Sequence, residues 1–365
     1  MAGSITPYQT AQGKRWRVRY RKPDKSQTDK RGFKTKRDAE LFLASVTVSK
    51  AKGDYLDPSA GRRTVSSFAE QWKRGRLARL KPSSQNTLET TWRVHVEPRW
   101  GDRGVATIRP SEVEDWISEL CERLGAQSVR RAVFVLSGVL AIAERDGIIS
   151  KVPSRGLEMP AKPKKEPRFL SHAQVELLVA STVEQHRTLA YTLAYCGPRW
   201  GEAVALRVRH LNMLRRRIRI VDNAVLVKGQ YVVGTTKSGQ ARDTAIPAFL
   251  LPHLAKACEG KGPDDLVFGD GRTHVLYPHR TSGWFARAVR AAQAADPSFP
   301  RITEHDLRHT AASLAIQSGA NVKVVQQMLG HASASVTLDV YGHLFDIDLD
   351  VIADRMDSAR KAALA

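Results

Sequence analysis

Two imidazoles, one guanidinium and one phenol stand close together near the C-terminus, in the stretch TEHDLRHTAASLAIQSGANVKVVQQMLGHASASVTLDVYGHLF, residues 303 to 345. They belong to His305, His331, Arg308 and Tyr341. A guanidinium binds two oxygens of an anion at once, an imidazole donates a hydrogen bond or carries a proton, and a phenol can act as a nucleophile. Together they suit phosphate chemistry. Singly, each has an ordinary explanation: H-x-x-R is common by chance, a histidine often ends a helix, and a tyrosine often edges a core.

The elements that must position these groups have readable ends. Thr303 with Asp306 has the form of a capping box, and Leu307, Ala311, Leu314 and Ala315 repeat at helical spacing until Gly319, which can end the helix in a left-handed conformation. His305 and Arg308 then fall in the first turn, on one face, beside a helix N-terminus that already favours an anion. Asn321 can cap a second helix with Val322, Val325, Met328 and Leu329 on one side, stopping at Gly330 and leaving His331 on the following loop. Ser333 or Ser335 opens a short third helix that ends in Tyr341.

Upstream, Ser171 is a plausible cap for a helix holding Val175, Leu178 and Val179, and the apolar run HRTLAYTLAYCG stops at Gly197. PRWGEAVAL follows. Pro198 suits a first helical turn, Arg199 projects from it, and Glu202, three residues on, can brace the arginine. RRIRIV, AVLVKG with QYVVGT, and QARDTAIP read as one small antiparallel sheet, with Lys237 in the TKSGQ turn before its last strand. Residues 263 to 300 predict a strand at LVF and a helix through Trp284, Phe285 and Val289.

On these residues the segment resembles the tyrosine recombinases, the phage-integrase family. The H-x-x-R box, the G-H box and the final Tyr occur in that family's order, CGPRWGE resembles its first arginine box with Cys196 in place of the usual Thr, and TKSGQARDTAIP resembles its lysine hairpin. The resemblance implies that Arg199 and Arg308 bind the nonbridging oxygens of a phosphodiester, that His331 donates a further hydrogen bond, and that His305 is a donor or base near the nucleophile. It implies that Tyr341 attacks phosphorus, that Lys237 protonates the departing 5′-oxygen, and that Glu202 orients its neighbours. It covers essentially the whole chain and is strongest from Pro198 to Leu344.

Composition agrees with a nucleic-acid enzyme. The 365 residues allow two or three domains, and 58 Lys and Arg against 37 Asp and Glu give a formal charge of +21, so a polyanion is the expected partner. With neither a long apolar run nor a signal-like N-terminus, a soluble cytoplasmic protein with no membrane partner is expected. Cys121, Cys196 and Cys258 are scattered and odd in number, which fits a reducing compartment without a disulfide framework or zinc site. No carboxylate cluster suited to two divalent ions is evident, so metal-independent chemistry with no cofactor is expected.

The fold class predicted is multi-domain α+β. Residues 1–60 read as three short strands, ITPYQT, WRVRYR and TDKRGF, and a helix from Thr35 to about Lys50 with Leu41, Phe42 and Val46 inward. They carry 14 Lys and Arg against 6 Asp and Glu. Alternation places Trp16, Val18 and Tyr20 on one face and Arg17, Arg19 and Arg21 on the other, an arginine face that could enter a DNA groove or simply be solvated. This part resembles the family's arm-binding domain. Residues 64–150 read as a four-helix bundle that resembles the core-binding domain, and 151–170 as an extended proline-rich linker. A mainly α catalytic domain with a small sheet fills 171–350, and a tail helix 351–365.

The resemblance implies an integrase of a temperate phage or mobile element acting on core and arm attachment sites in double-stranded DNA. A homotetramer passing through a Holliday junction, a host DNA-bending factor, an excision factor and a place on the nucleoid of a bacterial host are implied with it. A chromosome- or plasmid-resolving recombinase, a type IB topoisomerase and a DNA-binding regulator with a dead catalytic core are the alternatives.

Overall fold

The computed structural model describes residues 3–22, 25–51, 60–162, 167–236, 239–345 and 349–364. The chain is α+β, as its sequence predicts, and divides into two compact units, residues 1–164 and 165–365.

The first unit opens with an antiparallel meander, β1 (Ser4–Thr10), β2 (Gly13–Arg21) and β3 (Gln27–Phe33), followed by α1 (Lys36–Ala51). Thr10 pairs with Gly13 across a two-residue turn. Along β2 the pleat turns Val18 and Tyr20 into a small core, so Arg17, Arg19 and Arg21 take the opposite face. Helix α1 covers that core with Ala39, Phe42, Leu43 and Val46, the i, i+3, i+4, i+7 stripe. Leu41, expected to point inward, lies off this stripe and is 63% exposed.

A separate core holds the helices α2 (Val65–Gly75), α3 (Pro82–Thr91), α4 (Glu97–Trp100), α5 (Pro110–Cys121) and α6 (Ala126–Arg145). One of the four helices expected in this bundle is α3 and α4 together, joined by a π-helical stretch Trp92–Val96. Pro98, in the first turn of α4, has no N–H for the regular ladder, and the Glu97 N–H reaches back to Trp92 instead. Trp72, Trp92, Trp100 and Trp116 fill the centre, the last two packed edge to face at 5.6 Å. By length and composition alone α6 is apolar enough to cross a membrane, where no such run was expected. Its Val129, Leu136, Leu140 and Ala143 are buried in this core, which accounts for the apolarity.

The predicted linker has neither helix nor strand among its described residues, yet its first half is not a free spacer. Val152 is buried, Ser154 bonds Ser137 at 2.7 Å, Arg155 grips Glu144 through two bonds, and Arg130 donates to the Pro160 carbonyl. These polar anchors, absent from a composition-based view, tie the strand of chain to α6.

The second unit is built around α8. Its helices are α7 (His172–Ala180), α8 (Glu184–Cys196), α9 (Trp200–Val204), α10 (Leu250–Cys258), α11 (Trp284–Ala295), α12 (Asp306–Gln317), α13 (Val322–Leu329), α14 (Ala334–Tyr341) and α15 (Leu349–Leu364). Helix α8 is buried on nearly every side from Leu189 to Cys196 and packs along α12. The single sheet predicted here is two. Strands β4 (Leu211–Asn212), β5 (Arg217–Ile220) and β8 (Arg242–Ala245) form one, while β6 (Asp222–Val227) and β7 (Gln230–Thr235) form a separate hairpin. Lys228 and Gly229, both at positive φ, make the hairpin's tight turn. The LVF segment, expected as a strand, keeps only an isolated bridge between Leu266 and Arg207.

Candidate active site

The start of α12 is fixed by Asp306, whose Oδ2 accepts from the Thr303 N–H at 2.7 Å and the Thr303 hydroxyl at 2.8 Å. The helix begins at Asp306 itself, two residues later than a cap at Thr303 predicts, so His305 is its N-cap rather than a residue of its first turn, where Arg308 does lie. Gly319, at φ +89°, follows its end.

Arg308 is 3% exposed and is held by the ends of two other helices. Its Nη1 donates to the Gly197 carbonyl at 2.6 Å, just past α8, and its Nη2 donates to the carbonyl of Leu329, the last residue of α13. Helix C-termini present unpaired carbonyls and the negative end of the dipole, so a cation belongs there. Gly197 has to be glycine: it stands at φ +66°, and a Cβ on it would meet Leu329 at 3.0 Å and Ala311 at 3.1 Å. Burial, then the nearby Arg199 charge, lower the Arg308 pKa to about 9, leaving it charged at neutral pH.

Arg199 is the N-cap of α9, and Glu202 braces it as the spacing predicts. Glu202 accepts from the Arg199 N–H at 2.8 Å through Oε2 and from Arg199 Nη1 at 2.8 Å through Oε1. It also binds Arg242, a residue of β8 that sequence spacing did not single out: Nη1 and Nη2 reach the two carboxylate oxygens at 3.1 and 2.6 Å. Arg242 Nε donates in turn to the Met328 carbonyl at 3.0 Å, so the last two carbonyls of α13 each face an arginine. Burial alone would raise the Glu202 pKa. Hydrogen bonds and charge from Arg242 and Arg199 outweigh it and set the carboxyl at about 2. Cys196, beside this box, is fully buried, and its thiol is pushed up to about 12.

Arg199, His305 and Arg308 line one pocket of about 330 Å³ together with Pro198, Trp200, Tyr277 and Glu304. Two guanidiniums and an imidazole converging there can hold an anion. Tyr277 and Glu304 had no signal in the sequence. The Tyr277 hydroxyl donates to Glu304 at 3.0 Å and its ring packs on Trp200 at 5.2 Å. Burial raises the Glu304 carboxyl above its ordinary value.

Tyr341 ends α14, as predicted, with Ser333 as the helix's N-cap. It is 1% exposed, packed among Ala312, Ile316, Val325 and Leu329. Its hydroxyl meets His309 Nδ1 at 2.7 Å, and the His309 ring lies 5.3 Å from that of His305, edge to face. The contiguous path therefore runs from the pocket through His305 and His309 to the phenol. His309 was legible only as the i+4 neighbour of His305 on one helix face. His331 follows α13, its Nδ1 bonds Thr337 at 3.0 Å, and its ring stacks on Tyr341 at 6.5 Å. Burial, and then the charges of Arg308, Arg199 and Arg242, lower its pKa to about 4, so it is neutral at pH 7. Burial lifts the Tyr341 phenol to about 12.

Lys237 lies outside the described residues. Arg19 and Arg21 are exposed on β2, and Arg17, half-buried, donates to Thr6 at 2.8 Å. Among the described residues no group of three or more His, Cys, Asp or Glu is placed to hold a metal ion.

Residues 168–347 match the model of the Phage integrase family. The integrase of Mycobacterium phage D29 is 26% identical over 323 residues, 84% of each chain. Among solved structures, the Tn1549 transposon integrase in complex with a circular intermediate DNA aligns with a TM-score of 0.65 at 18% identity, over 81% of this chain and 99% of that one. A lambda integrase tetramer bound to a Holliday junction aligns at 0.53 and 16%, over 91% of this chain and 94% of the other.

Proposed function

The chain belongs to the phage integrase family of tyrosine recombinases and is a site-specific DNA recombinase, and from that premise we propose how its own residues divide the reaction. The observation that supports this division most is the pocket that Arg199, His305 and Arg308 share, linked to Tyr341 through His309.

Phosphodiester cleavage builds negative charge on the nonbridging oxygens, and Arg199 and Arg308 bind them. Glu202 keeps Arg199 aimed, His331 adds a hydrogen bond, and His305 donates or accepts a proton beside the nucleophile. The Tyr341 oxygen bonds to phosphorus as the bond to the 5′-oxygen breaks, and Lys237 gives that oxygen its proton. The 3′-phosphotyrosyl link conserves the energy of the broken bond, so a 5′-hydroxyl from the partner duplex can reverse the step without nucleotide hydrolysis.

The same reading assigns the arginine face of β2 to arm-type sites and the helical bundle to one side of the core site. It takes four copies of the chain to two duplexes, with a host DNA-bending factor and an excision factor setting direction, on the nucleoid in the cytoplasm of a bacterial host. The integrase rather than resolvase assignment rests on the basic N-terminal sheet, which a chromosome-resolving enzyme does not need.

The test is incubation with nicked duplexes made from the DNA flanking its own gene. A covalent protein–DNA adduct is expected on the duplex that contains the core site. No adduct on any such duplex overturns the enzymatic reading in favour of a DNA-binding regulator.

A further inference from the structure

We propose that His309, on the inner face of α12, is the group that takes the proton from Tyr341. The inference rests on the recombinase reading above and assigns a step which that reading left to His305. His309 Nδ1 stands 2.7 Å from the Tyr341 hydroxyl, hydrogen-bond distance for a proton transfer in the ground state. His305 faces elsewhere in function: it lines the anion pocket with the two arginines. His331, the remaining imidazole, stacks on the phenol ring rather than reaching its oxygen, and its Nδ1 is engaged by Thr337.

The surroundings suit a base. His309 is half-buried, and that burial lowers its pKa, with the Asp306 charge opposing the shift and the Arg308 charge adding to it. With the ring proton on Nε2, Nδ1 has a lone pair to receive the phenol proton. The step balances: the Tyr341 O–H bond breaks, the proton passes to Nδ1, the phenolate oxygen bonds to phosphorus, and the P–O5′ bond breaks with its electron pair on the 5′-oxygen. His309 becomes an imidazolium, and in religation it returns the proton to Tyr341 as the phosphotyrosyl bond opens.

The helix places the two histidines by period alone. His305 and His309 are one turn apart on α12, so an N-cap position facing the anion brings its i+4 neighbour to the layer behind, where α14 delivers the tyrosine. One helix thereby supplies a phosphate contact, an arginine and a base.

The experiment measures the rate of covalent adduct formation on the nicked core-site duplex for wild type, His309→Ala and His309→Gln, with duplex binding followed in parallel. Both variants are expected to bind the duplex and to form adduct about 100- to 10,000-fold more slowly. Imidazole added to His309→Ala should restore part of the rate by filling the vacated position, which it cannot do for a purely structural loss. Glutamine can accept the hydrogen bond but not the proton, so it separates holding from catalysis even if the alanine variant folds poorly. A His309→Gln rate near wild type overturns the proposal, as does a His309→Ala rate equal to or above wild type, or a bound but unrescued His309→Ala. Absence of adduct from the wild type is a different failure, that of the recombinase reading.

Discussion

Glu202 and Arg242 form a two-pronged ion pair in the interior, Nη1 to Oε1 at 3.1 Å and Nη2 to Oε2 at 2.6 Å, and the same carboxylate holds Arg199 at 2.8 Å. Glu202 is 1% exposed. Breaking such a pair by removing one partner strands a buried charge, so Arg242→Met is expected to lose roughly 3 kcal/mol of unfolding free energy in urea at pH 7. The pH dependence has a definite sign. Because folding lowers the Glu202 pKa from 4.5 to about 2, its stabilisation is complete above pH 4.5 and drains away as pH falls towards 2. Glu202→Gln should flatten that acid limb of the stability curve, and an unchanged limb would place the acid sensitivity elsewhere.

Tyr341→Phe removes only the oxygen that attacks phosphorus. The variant is expected to bind core-site duplex as wild type does and to yield no covalent adduct on a denaturing gel; an adduct in the variant sinks the assignment of the nucleophile.

Metal independence is checked by chelation. With excess EDTA, cleavage of the nicked duplex should proceed at an unchanged rate, and strong inhibition would reveal an ion that the transfer requires.

Deleting residues 1–60 removes the meander and its arginine face. Binding to arm-type sites should be abolished while core-site cleavage persists, and the salt dependence of binding should weaken by about one in slope for each phosphate that the shortened chain no longer neutralises. Arm-site binding retained by the truncated chain refutes that assignment.

Lys237→Ala tests the leaving-group proton. Loss of a general acid slows cleavage of ordinary DNA by about 100- to 10,000-fold. A duplex with sulfur at the 5′-bridging position releases a stable thiolate unaided, so the variant should cleave it near the wild-type rate. Arg199→Ala is the control, since its bond is to nonbridging oxygens and sulfur should not rescue it. If Lys237→Ala binds normally and stays slow on sulfur, the acid is another lysine of the β-hairpin region, with Lys228 the first to try.

The positions of His305, Arg308, His331 and Tyr341 at the ends of short helices were legible in the sequence. Caps, helical period and left-handed glycines are interactions among residues a few places apart, and Asp306, Asn321 and Gly330 perform them as their types predict. Glu202 bracing Arg199 was legible for the same reason. The separation of β6 and β7 from the other strands was not, because strand pairing depends on which edges meet in space. Nor was the outward turn of Leu41. Tertiary packing alone joined Arg242 to Glu202 across 40 residues, His309 to Tyr341 across 32, and Arg308 to Gly197 across 111. Such bonds gain their strength from the removal of water around charged and polar groups, and that removal happens only when the helices close on one another.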